Sequence, residues 1–190
     1  NKYSRRHGAK GPHALTLEDY LRTFRKNEMP MHTDTMAIRR DVLGDQPAVF
    51  PADLEGRRGG DVYAWLRLLV REKRLVWSPH LGSCYFVDAD NMVTRKEAAK
   101  AEFLSRENVR ELERGLSGEQ RSLLRQAVNQ HIWRAWFGDV SRQGRGFFLP
   151  GRLLWDGTGV RTWLLALASL VPAWLIRVML RMARRSSFRG

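Results

Sequence analysis

RRGGDVYAWLRLLVRE, residues 57–72, sets the reading of the whole chain. Two glycines break the preceding segment, and Asp61 opens a run whose apolar residues recur every three or four positions. Val62, Trp65, Leu66 and Leu69 fall on one side of a helix over 61–72, with Arg67 and Arg71 together on another. Asp61 has two roles open to it. A carboxylate at a helix start accepts backbone N–H groups and complements the positive end of the dipole. The same position also suits a general base, provided a proton donor lies within hydrogen-bond reach.

Upstream, residues 45–60 read as a Pro/Gly-rich loop. RRDVLGD gives a helical turn that stops near Gly44, and MHTDTMAI (31–38) reads as a short strand. On that strand His32 and Asp34 face the same way under the two-residue period. Residues 16–28 read as a helix capped by Thr16, with Leu17, Tyr20, Leu21 and Phe24 on its apolar side. Residues 1–13 are basic, carry Gly and Pro, and read as a loop or frayed end. Downstream, RLVWS (74–78) and SCYFV (83–87) read as strands joined by PHLG. Two helices follow, over 94–114 and 117–137, the second opened by Ser117 and Gln120 at capping-box spacing.

The order of these pieces resembles the C-terminal half of the catalytic domain in family 2 glycosyltransferases, which have the GT-A fold. The matching residues are His32-Thr33-Asp34-Thr35, Ile38-Arg39-Arg40, Phe50, Asp61, Trp65, Arg67-Leu68, Val76-Trp77 and Tyr85-Phe86, spanning roughly residues 29–95. The resemblance implies an α/β fold: a Rossmann-like half domain with a helical C-terminal extension. It implies sugar transfer from a nucleotide-sugar donor to an acceptor hydroxyl, as in hexosyl transfer for surface polysaccharide or glycolipid synthesis. It also implies inversion at the anomeric carbon. Asp61 matches the family's general base. The family usually has a Glu-Asp pair there, whereas this chain has Gly60-Asp61, so Asp61 acts without an adjacent acid. His32, Thr33, Asp34, Trp65, His80 and Tyr85 are the candidates for holding acceptor or substrate. For Trp65, core packing is the stronger reading than stacking on a sugar.

The family's donor-binding half carries an Asp-x-Asp motif that holds Mg²⁺ or Mn²⁺ on the diphosphate. The implied main ligands are not in this chain, so the resemblance makes it a C-terminal fragment, inactive alone. Asp88-Ala89-Asp90 has the right spacing for a cation, but it follows Asp61 where the family motif precedes the base. It reads as a turn after a strand. Asp88, Asp90 and His80 are weak metal candidates. Cys84 is the single cysteine, which rules out an intrachain disulfide and a cysteine-based zinc site.

Net charge is +13, from 33 basic and 20 acidic residues, which points to an anionic partner. From Ser141 onward nine arginines face one acid, Asp156, so most of the excess lies in the last fifty residues. There TWLLALASLVPAWLI (162–176) runs uncharged up to Arg177. It falls short of the roughly 20 apolar residues of a spanning helix. With Trp163 and Trp174 at its ends and arginines beyond, it reads as an interfacial helix on an anionic membrane surface, peripheral or monotopic, on the cytoplasmic face. The chain thus divides into an acceptor-side transferase part (1–93), a helical extension (94–140) and a basic amphipathic tail (141–190). Two other classes remain: a basic nucleic-acid-binding protein, and a membrane-tethered scaffold without chemistry. The first has charge in its favour. Against it, the cations are not interleaved with aromatics in any recognisable module, and they flank an apolar run.

Overall fold

Two junctions, each joining a strand directly to a helix, organise the chain. The computed structural model describes residues 2–8, 11–31, 36–43, 60–80, 104–144, 146, 148–156 and 159–187. In order, the elements are α1 (Lys2–His7), β1 (His13–Thr16), α2 (Leu17–Arg25), α3 (Arg40–Leu43), α4 (Gly60–Glu72), β2 (Arg74–Trp77), α5 (Arg106–Leu112), α6 (Gly118–Gln143), α7 (Leu149–Arg152), α8 (Val160–Ala168) and α9 (Ala173–Ser187). The class is mixed, mostly helical, with one small antiparallel sheet of two strands among the described residues.

At the first junction Thr16 ends β1 and caps α2. Its hydroxyl accepts from the Asp19 N–H, and the Asp19 carboxylate accepts from the Thr16 N–H, which completes a capping box. At the second, Lys73 adopts the left-handed conformation (φ 62°) and turns α4 straight into β2. The strands pair with His13 opposite Trp77 and Thr16 opposite Arg74. The Leu17 N–H donates to the Lys73 carbonyl at 2.9 Å. The start of α2 is thereby tied to the end of α4.

The apolar faces read from the sequence are those that are buried. Leu17, Tyr20, Leu21 and Phe24 of α2 join Val62, Trp65, Leu66 and Leu69 of α4 in one core with Val109 and Leu112 of α5. Each such side chain contributes about 1.5–3 kcal/mol relative to exposure. The spine of the core is α6, opened by the Ser117–Gln120 capping box and closed by Gly144 at φ 73°. It carries α2 on one side and α7, α8 and α9 on others.

Several expectations are corrected. The first residues are not a frayed end. They include α1, whose Tyr3 is buried against Trp77 (centroids 5.0 Å apart) and stacks on His7. The Tyr3 hydroxyl donates to His13 Nε2 at 2.9 Å, because His13 Nδ1–H is committed to the Gly11 carbonyl at 2.9 Å. The partner of β2 is β1, a strand not expected; the expected partner, 83–87, lies outside the described residues. Within 31–38, Met31 and residues 36–38 are not in a strand, and 32–35 are outside the described set. Of the expected helix 94–114, the described part is α5, capped by Ser105. The helix expected over 117–137 continues to Gln143.

Candidate active site around Asp61

Asp61 sits in the first turn of α4, half-buried, and its Oδ1 accepts from the Val62 N–H at 2.9 Å. The glycine before it is buried, as are the five residues after it, Val62 to Leu66. The helix is therefore locked in the core while its leading carboxylate stays partly open to solvent. This follows from the local sequence: Gly60 adds no side chain, and the apolar stripe begins only at Val62.

The negative charge of Asp61 acts on two buried rings from other elements, Tyr20 of α2 and His131 of α6. Burial pushes the Tyr20 phenol well above its ordinary range, and Asp61 adds to the shift. Its hydroxyl is enclosed and has no hydrogen-bond partner among the described residues. Burial, helped by the Arg134 guanidinium and opposed by Asp61, lowers His131 to about 4. His131 is therefore a neutral imidazole near neutral pH. Tyr20, Phe24 and His131 form a ladder of rings: Tyr20 stacks on Phe24 at 6.2 Å and Phe24 on His131 at 5.2 Å. Arg134 closes the ladder by donating to the Phe24 and Arg25 carbonyls at 3.1 and 2.5 Å, where the last carbonyls of α2 attract a cation. Together these residues hold a carboxylate, a neutral imidazole and a phenol around one end of α4.

The other expected site residues are distributed differently. Trp65 is 3% exposed and belongs to the core. Its place as a sugar-stacking platform is corrected accordingly, because a ring packed on all sides offers no face to a ligand. His80 is exposed just beyond β2, its N–H donating to Ser78 Oγ at 3.3 Å. His32, Thr33, Asp34, Tyr85, Asp88 and Asp90 lie outside the described residues. Among the described residues no group of three or more His, Cys, Asp or Glu is placed to hold a metal ion. These residues supply no set to fit the divalent cation that the resemblance implies. Tyr20 and His131 were missed as site residues. No motif or periodicity in the sequence marked either of them as a site residue.

A second polar arrangement lies where α8 meets α6. A cavity of about 90 Å³ is bordered by Arg25, Gln126, Gln130 and Arg161 among others. Beside it, the buried Asn129 amide donates to the Leu154 carbonyl and accepts from its N–H, both at 2.8 Å, and reaches Thr162 Oγ1 at 3.4 Å.

Compared with protein-family models, curated proteins and solved structures, the chain matches none.

Proposed function

We propose that this chain is the acceptor-side part of a GT-A glycosyltransferase of family 2, with Asp61 as general base. The observation that carries the reading is the placement of Asp61: a half-buried carboxylate fixed at the first turn of a helix whose residues on either side of it, Gly60 and Val62 to Leu66, are buried. The ordered run of motifs around it, from His32 to Tyr85, supports the same reading. In the proposed step the acceptor O–H gives its proton to the Asp61 carboxylate. The acceptor oxygen forms the new bond at the anomeric carbon as the bond to the donor diphosphate breaks, and the nucleoside diphosphate leaves. In this reading the divalent cation would be held by the donor-binding half and would offset the charge on the leaving diphosphate. Neutral His131, stacked on Phe24, adds no positive charge of its own near the base. The basic tail places the reaction beside an anionic membrane surface, where a lipid-linked or surface saccharide is the acceptor.

The test is sugar transfer by the full-length enzyme. Membranes from cells expressing it are incubated with a panel of labelled nucleotide sugars, and incorporation is compared with membranes lacking it. Transfer from one donor is expected. Equal incorporation with and without the enzyme across the whole panel contradicts the reading.

A further inference from the structure

The helices α8 and α9 carry large apolar side chains that stay mostly exposed among the described residues, although Trp163 leans on Trp155 with ring centroids 4.7 Å apart. Trp163, Leu167, Leu170, Trp174, Met179 and Met182 are each 59–66% exposed. Isolated exposed hydrophobics are ordinary, but a run of this size along two consecutive helices marks a contact surface. The opposite side of the pair is attached to the protein. Thr162 and Ala166 are 3% and 7% exposed, and Thr162 meets the Asn129 amide of α6. Ala173 and Ile176 pack against the main core.

Arg177 interrupts the apolar run, and its position decides how the pair can sit. Its guanidinium lies against Gly144, so close that a Cβ there would stand 2.5 Å from Nη1. Gly144 closes α6, and a cation is favourable at that helix end. Arg177 is therefore turned in toward the protein, where it contributes to holding α9 in place.

Among the described residues no single helix is long and apolar enough to cross a membrane, and the segments Val160–Ala168 and Ala173–Met179 meet at a bend of 95°. With nine residues, α8 is about 14 Å long at 1.5 Å per residue, against about 30 Å of hydrocarbon. Straightening the pair into one span would strip Thr162, Ala166 and Arg177 from their partners. From Gly157 to the end the sequence has six arginines and no acid. A second copy of the same surface would bring like charges together, whereas an anionic leaflet pairs with them.

We infer that the α8–α9 elbow is a one-leaflet anchor, its Trp- and Leu-bearing side sunk into the headgroup boundary of an anionic bilayer and both ends on the same face. This deepens the membrane placement proposed above and is independent of the chemistry at Asp61. The test uses the full chain in a Cys84→Ser background, with Val160→Cys or Met182→Cys, both at exposed positions. Sealed membrane vesicles from expressing cells are treated with a membrane-impermeant maleimide, with and without detergent. Both cysteines are expected to react from the same side. Reaction from opposite sides makes the segment a span and overturns the anchor while leaving the membrane placement. Recovery of the chain in the soluble fraction, as monomer or dimer, overturns anchor and membrane placement together. Leu167→Ser with Trp174→Ser should lower binding to phosphatidylglycerol vesicles at least tenfold with the melting curve unchanged. Undiminished binding overturns the assigned face.

Discussion

Asn129 satisfies both backbone hydrogen-bonding groups of Leu154, at 2.8 Å each, from the middle of α6. Leu154 itself is 9% exposed and Asn129 is 1% exposed. The bonds therefore form where water cannot replace them, and they fix the segment that leads into α8. In Asn129→Ala a buried donor and a buried acceptor of Leu154 lose their partner together. The expected loss is about 2–4 kcal/mol in urea unfolding. An Asn129→Ala variant as stable as the parent would show that Leu154 is not held in this way.

His131 makes stability depend on pH. Its folded-state value of about 4 lies below the ordinary 6.5, so between these values the unfolded chain binds more protons. Stability contributed by the neutral ring is complete above about pH 6.5 and is lost as pH falls toward 4. The change is about 2–3 kcal/mol over that window. Thermal melts of the parent and His131→Gln, followed from pH 7 to pH 4, should converge toward the acid end. Parallel curves would mean that the ring is not held neutral.

Tyr20 has its hydroxyl in the core with no partner among the described residues. Removing an unsatisfied buried hydroxyl costs nothing and relieves a desolvation penalty of about 1 kcal/mol or more. Tyr20→Phe should unfold at equal or higher denaturant concentration. A clear loss of stability would show that the hydroxyl has a bound partner, and would turn attention to what lies between it and Asp61.

Much of the scaffold was legible in the sequence because it is local. The stripe Val62-Trp65-Leu66-Leu69, the face of α2 and the boxes at Thr16 and Ser117 each depend on residues a few positions apart. The sheet was not legible in the same way. Thr16 was read as a cap, which it is, but β1 has four residues and pairs with a strand 58 positions away (Thr16 with Arg74). Such a pairing leaves little periodicity to read. Tyr3 is ordered by Trp77 from the same distant strand, so α1 looked like a polar terminus. Around the site, Asp61 was visible from its glycines and its helix. Its neighbours Tyr20 and His131 come from two other helices, and α6 is packed on several sides, so its pattern gives no single apolar face that would make His131 stand out. Arg177 stood in the sequence only as the end of an uncharged run, whereas the structure sets its guanidinium against Gly144 at the end of α6.

The account rests most on Asp61. The direct measurement is sugar transfer, the proposed activity, by the full-length protein carrying Asp61→Asn, with Asp61→Glu alongside and thermal melts to show that both fold. Asn preserves the size of the side chain and can still accept from the Val62 N–H, but it cannot take the acceptor proton. Turnover is predicted to fall at least about 100-fold in Asp61→Asn, with part of it retained in Asp61→Glu and both melts near the parent. Turnover within about twofold of the parent in a folded Asp61→Asn protein would contradict the account and leave Asp61 as a helix cap.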